Sequence, residues 1–132
     1  MKLVRSTLSD VPIIMGFIHD AQLYLASLKI DQWQDGYPDE GKIELDINNN
    51  DSYLVVDDTE TIIGTTVFTT KKERAYKSIQ GRWLTNDDAV YGVIHRLAVG
   101  EKYRKLGLAR FVFKECHKRL KTQNIGSLRI DT

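Results

Sequence analysis

The stretch of the sequence with the most evident capacity for chemistry is residues 99–110, which read VGEKYRKLGLAR. An apolar run ends at Val99, and an amphipathic helical pattern begins near Lys105. The N-terminus of a helix exposes unpaired amide N–H groups and carries about half a positive charge. Gly107 lets the backbone come close to a ligand, because glycine has no Cβ atom. A strand that turns into a helix at this point can therefore surround a phosphate group.

The residues around this turn reinforce its positive charge, through Lys102, Arg104, Lys105 and Arg110. Other phosphate-binding motifs fit poorly: Gly-Lys-Ser/Thr does not occur, and no Gly-x-Gly-x-x-Gly follows the first predicted strand. From these residues alone, a helix start beside a solvated basic surface explains the pattern as well as an anion site does. Both interpretations remain open at this level.

The apolar periodicity predicts one strand, two helices, three strands, a helix and a final strand. The first predicted helix ends near Leu28, the second extends from Pro38 to about Asn48, and the third covers 105–122. The predicted strands lie at 2–6, 52–57, 61–69, 90–99 and 127–131. The final strand, helix and strand should form a right-handed parallel crossover, whereas the earlier hairpin is antiparallel. The expected fold is α/β (α+β), with a mixed, mostly antiparallel sheet and helices on both faces. The length of 132 residues suits a single domain.

The composition is that of a globular protein, with 42% hydrophobic and 28% charged residues and a formal net charge of +1. This balance predicts no overall attraction to nucleic acid or membranes. The charges are uneven, however. Residues 31–60 carry ten acidic side chains and one basic one, and residues 101–121 carry eight basic and two acidic ones. These runs indicate either two solvated surfaces or a cation-tolerant region and an anion site.

The single cysteine, Cys116, excludes an intrachain disulfide, and its place on an apolar helix face favours a core role. Asp10 and Pro12 interrupt any N-terminal signal sequence, and no apolar run approaches the roughly 20 residues that span a bilayer. We therefore expect a cytoplasmic protein without a membrane segment. No metal site is predicted, and His19 and His117 are expected at the surface.

Residues 104–109, RKLGLA, resemble the Arg/Gln-x-x-Gly-x-Gly/Ala signature of GNAT acetyltransferases. The segment follows a predicted strand that reads HRLAV and precedes a long amphipathic helix, as it does in that family. The segments IDQWQDGYP and VIHRLAV resemble a bacterial GNAT subgroup whose substrate is unassigned. The resemblance covers nearly the whole chain.

The resemblance implies an N-acetyltransferase that moves an acetyl group from acetyl-CoA, its cosubstrate, to a primary amine of a small molecule or peptide. The backbone of Leu97, Ala98 and Val99 would pair with pantetheine, and the thioester would lie between this strand and residues 127–131. An N–H group near Leu97 would stabilise the oxyanion. The amides that would hold the CoA pyrophosphate are those of Arg104, Lys105, Leu106, Gly107, Leu108 and Ala109.

His95 is the best candidate for the general base, because it precedes Val99 by four residues, where some family members carry a catalytic histidine. Imidazole also titrates near neutral pH. A strand histidine bonded to a backbone carbonyl is the alternative. Trp33 and Tyr37 fall in the loop that covers the acceptor pocket in this family, although Trp33 can equally fill the core. Trp83 is a further candidate for the pocket wall.

Members of the family continue beyond the position of Thr132 with a helix that bears a CoA-contacting Asn and a Tyr that protonates the leaving thiolate. We therefore expect a C-terminally shortened GNAT fold whose general acid is unassigned. Its final strand would have an open edge that a homodimer can cover. A catalytically impaired acyl-CoA-binding or interaction module is the alternative function. A nucleic-acid binder that uses residues 102–121 is disfavoured, because no reading motif occurs there.

Overall fold

The computed structural model describes residues 1–70 and 90–130. Its helices are α1 (Val11–Ser27), α2 (Glu40–Asn48) and α3 (Leu108–Thr122), and 3₁₀ turns at Leu8–Asp10 and Glu101–Tyr103 precede α1 and α3. Its strands are β1 (Lys2–Arg5), β2 (Ser52–Val56), β3 (Ile62–Thr69), β4 (Gly92–Val99) and β5 (Leu128–Ile130). The segment 71–88, predicted to be irregular, lies outside the described residues, and so does Trp83 within it.

In the described part of the chain the strands form one sheet in the order β1-β2-β3-β4-β5. The first four strands pair antiparallel, and β5 joins β4 in parallel after the chain has passed through α3. The mixed, mostly antiparallel sheet predicted from the sequence is therefore confirmed. Parallel neighbours need a crossover connection, and α3 supplies it.

The hairpin of β2 and β3 shows how strand alternation builds two cores. Tyr53 and Val55 pack in the cluster that contains α3, whereas Leu54 and Val56 pack with α1 and α2. Successive side chains of a strand point to opposite faces, so this alternation places helices on both faces of the sheet.

The turn between β2 and β3 is closed by the Asp57 carboxylate, which accepts hydrogen bonds from the Thr59 hydroxyl and the Thr61 amide. These hydrogen bonds lower the pKa of Asp57.

The two clusters contain the apolar stripes of the helices. Helix α3 buries its stripe at four-residue intervals, at Leu108, Val112, Cys116 and Leu120. Cys116 is fully buried in this cluster, as its predicted core position requires, and burial raises the pKa of its thiol to about 12. On the opposite face, α1 and α2 bury Val11, Ile14, Ile18, Ile43 and Ile47.

None of the helices in the described ranges combines the length and the hydropathy that crossing a bilayer requires.

Candidate functional site

The turn between β4 and α3 is shaped by two residues in the left-handed region of backbone conformation. Lys105 has a φ of +66° and Gly107 a φ of +79°. A helix cannot pass through such residues, so α3 begins at Leu108, three residues later than the amphipathic pattern predicted. Residues 104–107 therefore form a loop in front of the helix.

This loop presents unpaired amide groups. Within the described residues, no backbone carbonyl accepts a hydrogen bond from the amide N–H groups of residues 105–110. A Cβ atom built on Gly107 would meet no protein atom within 4 Å, so the space beside this backbone is open to a ligand. The amides at a helix start and the macrodipole together favour an anion. We name residues 104–109 the cradle.

Strand β4 contains an irregularity where it passes the middle of β3. Thr65 lies opposite Ala98 and Val67 lies opposite His95, so the single residue Thr66 faces both Arg96 and Leu97. This two-to-one pairing is a β-bulge. Arg96 has a φ of +47°, a conformation that a residue with a long side chain rarely adopts and that costs about 1–2 kcal/mol.

The bulge points two consecutive amides away from β3. The Gly100 amide donates to the Ile63 carbonyl, at 2.9 Å, so Gly100 and, two residues earlier, Ala98 direct their backbone groups toward β3. Because Val67 and His95 are the next ladder partners, the intervening Arg96 and Leu97 both face the opposite edge of β4. Val99 faces that edge too.

Among the described residues, β5 pairs with β4 from Gly92 to Ile94, and this edge of β4 has no described strand partner beyond Ile94. A cavity of about 340 Å³ lies beside residues 94–99 of β4 and reaches Ile130 of β5, and we name it the β4–β5 gap. Its walls come from α1, the loop after α1, β4, the cradle, α3 and β5. The described lining residues are Ala21, Tyr24, Leu25, Gln32, Trp33, residues 94–99, Arg104, Phe113 and Ile130.

His95 lies within this wall and is 5% exposed. Its backbone carbonyl accepts a hydrogen bond from the Thr66 hydroxyl, at 3.4 Å. Arg104, at the cradle end of the gap, places its guanidinium carbon 4.2 Å from the centroid of the Tyr24 ring, a cation–π contact that orients the side chain. The gap thus has a basic group at its cradle end and an imidazole beside the bulge.

Arg96 makes a buried ion pair that was not predicted from the sequence. Its Nε and Nη2 atoms donate to the two carboxylate oxygens of Asp46, at 2.7 and 2.8 Å, and its Nη1 atom donates to the Tyr37 hydroxyl, at 2.8 Å. Arg96 and Asp46 are 8% and 4% exposed. The bidentate geometry is the strongest form of this interaction. We name these three side chains the Arg96 clamp.

The sequence-predicted residues reach the gap to different degrees. Trp33 both lines the gap and packs against the cluster of α1 and α2, so it takes part in each of its two predicted settings. Tyr37 is not among the described lining residues, and its hydroxyl contacts Arg96 instead. The backbone groups of Leu97 and Val99 face the open edge, whereas those of Ala98 face β3. His19 and His117 are exposed, as predicted.

Sequence reasoning missed Asp46 and Arg96. Asp46 lies on the inward face of α2, between Ile43 and Ile47, and Arg96 interrupts an apolar strand. An acidic and a basic residue on two buried faces are the available signal for an internal ion pair. Among the described residues, no three His, Cys, Asp or Glu side chains cluster as metal ligands would.

Several solved structures are similar to this chain. A GNAT-family acetyltransferase structure from Streptococcus agalactiae is 29% identical, with a TM-score of 0.74 over 82% of this chain and 63% of its own. This chain therefore spans less than two thirds of that protein. A GNAT-family acetyltransferase from Listeria monocytogenes shares the fold, with a TM-score of 0.80 at 16% identity over 99% of this chain and 76% of its own.

A predicted acetyltransferase from Clostridium acetobutylicum, solved with acetyl-CoA, also shares the fold, with a TM-score of 0.63 at 15% identity over 99% of this chain and 80% of its own. No curated protein sequence matches significantly. The model of the acetyltransferase (GNAT) family matches residues 21–132. The bulged strand, the cradle and this match lead to one conclusion: the chain belongs to the GNAT family of acetyltransferases.

Proposed function

We propose that this protein transfers an acetyl group from acetyl-CoA to a primary amine in the β4–β5 gap. The observation that carries the proposal is the continuity of the gap: one cavity runs from the bulge of β4 to Arg104 in the cradle. A ligand with an anionic diphosphate and a long, narrow arm fits such a site. The acetyl-CoA present in the Clostridium acetobutylicum neighbour is a molecule of that kind.

The cradle would bind the diphosphate. The amides of residues 105–110 have no backbone acceptor among the described residues, so they are available to phosphate oxygens. Amide donors to a charged acceptor form hydrogen bonds about twice as strong as neutral ones. Arg104 and Lys105 add charge at the same end, and Gly107 leaves the approach open. Leu106, Leu108 and Ala109 contribute only backbone groups to this proposal.

The open edge of β4 would bind the pantetheine arm. Leu97 and Val99 direct their backbone N–H and C=O groups toward the gap, and an extended amide-containing arm can pair with them as a strand would. Ala98 cannot take part in this pairing, because its backbone groups face β3. The arm would thereby bring its thioester beside the bulge.

In the reaction, the amine nitrogen attacks the thioester carbonyl carbon, the carbon–sulfur bond breaks, and the thiolate leaves and takes up a proton. The amides of Arg96 and Leu97 face the gap together and would stabilise the negative charge that develops on the carbonyl oxygen. His95, in the wall beside them, would accept the proton that the substrate's ammonium group must lose before its nitrogen attacks. No described residue is assigned as the general acid.

The walls of the gap favour an acceptor with an apolar or aromatic body. Among the described lining residues, Ala21, Tyr24, Leu25, Gln32 and Trp33 form the side contributed by α1 and the following loop, and no carboxylate occurs. The acidic residues of the 31–60 region are not part of this described lining, so they do not provide a cation-binding site inside the gap. We therefore expect amines with hydrophobic substituents to be better acceptors than polyamines.

The test is a pair of measurements on the same preparation. Calorimetric titration with acetyl-CoA and CoA should show saturable binding, and a thiol-detection assay should show CoA release with phenethylamine or hexylamine but little with ethylamine or spermidine. Binding without thiol release from any amine would favour the acyl-CoA-binding module. Absence of binding in a folded sample would refute the proposal.

A further inference from the structure

The Arg96 clamp combines two features that each cost free energy in the folded protein. It buries a charged pair and holds an arginine in the left-handed region of backbone conformation. Such a conformation persists only where the surrounding structure enforces it. Glycine would adopt the same backbone without strain. The side chain of Arg96 therefore has a role that glycine cannot fill.

The geometry points to Arg96 as a positioning residue that fixes the bulge of β4 and thereby aims the amides of Arg96 and Leu97 into the β4–β5 gap. This inference rests on the proposed function, because it assigns these amides to the oxyanion. The clamp links three separate elements. Asp46 anchors Arg96 to α2, and Tyr37 anchors it to the loop between α1 and α2.

The form of the contact suits this role. Two parallel hydrogen bonds to one carboxylate fix the plane of the guanidinium group, and the third fixes its rotation. Because the guanidinium is held on three atoms, the backbone of residue 96 has little freedom to return to an extended conformation. An extended residue 96 would remove the bulge and turn one of the two amides toward β3.

The clamp also affects the charge beside the gap. The Asp46 carboxylate neutralises Arg96, although Arg96 lines the cavity. Lys42 lies 3.8 Å from the same carboxylate but makes a longer contact and is more exposed, so it is not part of the clamp. Lys42 therefore provides a matched control: a basic residue beside Asp46 whose loss should leave the bulge intact.

The experiment compares three variants of the full chain. Removing one partner alone would bury an unpaired charge, so Arg96→Gly is combined with Asp46→Leu, which keeps the backbone conformation accessible and removes both charges. Tyr37→Phe removes a single hydrogen bond from a side chain that is 44% exposed, and it should fold normally. Lys42→Met is the control.

We expect the double variant to lower kcat about 100-fold while the Kd for CoA and the KM for the amine change less than about twofold. Tyr37→Phe should lower kcat about threefold to fivefold, in the same pattern, and Lys42→Met should match the wild type. A wild-type kcat in a folded double variant would overturn the inference. So would a Tyr37→Phe variant whose defect lies in the amine KM, because that result would make Tyr37 an acceptor contact.

A measurement without turnover separates this inference from the proposed function. In the free protein, Tyr37→Phe should shift the amide NMR resonances of Arg96 and Leu97, whereas Lys42→Met should leave them in place. If the wild type shows no acetyl transfer, the proposed function fails, and these resonances still decide whether the clamp fixes the bulge. Unchanged resonances in Tyr37→Phe would overturn the inference.

Discussion

Replacing Gly107 by valine tests the cradle directly. The structure separates two effects of this substitution. A Cβ atom at this position meets no protein atom within 4 Å, so the folded protein itself has room for the side chain. The φ of +79° nevertheless strains any β-branched residue, at a cost of about 1–2 kcal/mol in the free energy of unfolding. That cost should appear as a lowered Tm, independent of ligand.

The effect on CoA is a separate quantity. A valine side chain projects from the cradle toward the proposed diphosphate and should remove or lengthen at least one charge-assisted hydrogen bond. Such a bond contributes about 1.5–3 kcal/mol, and incomplete loss lowers the expected effect to about 1–3 kcal/mol. The Kd for CoA should therefore rise roughly 5- to 150-fold. Pantetheine, which has no diphosphate, should bind the variant as it binds the wild type.

Titration calorimetry at a temperature well below the Tm measures both affinities. Two controls accompany it. Gly107→Asn keeps a residue that tolerates the left-handed conformation, so it isolates the ligand effect from backbone strain. Gly126→Val alters another exposed glycine with open surroundings, in the loop after α3 and outside the cradle. If folded Gly107→Val binds CoA with the wild-type Kd, or loses pantetheine equally, the assignment of the diphosphate to the cradle is refuted.

Three further predictions concern the gap and the core. His95→Ala should lower kcat about 100-fold or more with unchanged CoA affinity, and a near-normal rate between pH 6 and pH 9 would remove His95 from the mechanism. Trp33→Ala should lower kcat/KM for phenethylamine at least about fivefold more than for ethylamine, and equal losses would make Trp33 a core residue only. The raised pKa of Cys116, about 12, lies above its ordinary value of 9.0. The unfolding free energy should therefore be fully retained below pH 9 and fall between pH 9 and pH 12 relative to Cys116→Ala, and parallel profiles would contradict this.

Most of the fold was predictable because local patterns agree with the tertiary packing. The β2–β3 hairpin follows from two β-branched runs around a polar turn, and the four-residue stripe of α3 reports the face that meets the sheet. The start of α3 was predicted three residues early. Apolar periodicity indicates which face of a helix is buried, but it carries no information on backbone φ angles. It therefore could not predict that the positive φ angles at Lys105 and Gly107 delay the start of α3 to Leu108.

The candidate site was predictable only in part, for a related reason. The glycine and basic residues of the cradle form a contiguous sequence, so residues 104–109 could be proposed as an anion site from the sequence. The gap brings together α1, β4, α3 and β5, which are separate in the sequence. Their juxtaposition is a property of the tertiary fold, and the spacing of residues within one strand does not encode it.

Arg96 shows why the missed feature matters most for mechanism. A single arginine in an apolar strand does not by itself indicate a buried ion pair, because its partner lies 50 positions away in α2. Yet the bulge that distinguishes β4 from an ordinary strand is centred on this residue. A local sequence pattern can place the cradle to which we assign the diphosphate. In our proposal, the direction of the two amides that face the thioester carbonyl depends instead on a buried ion pair between distant elements. A substitution in that pair should therefore reduce kcat without reducing affinity.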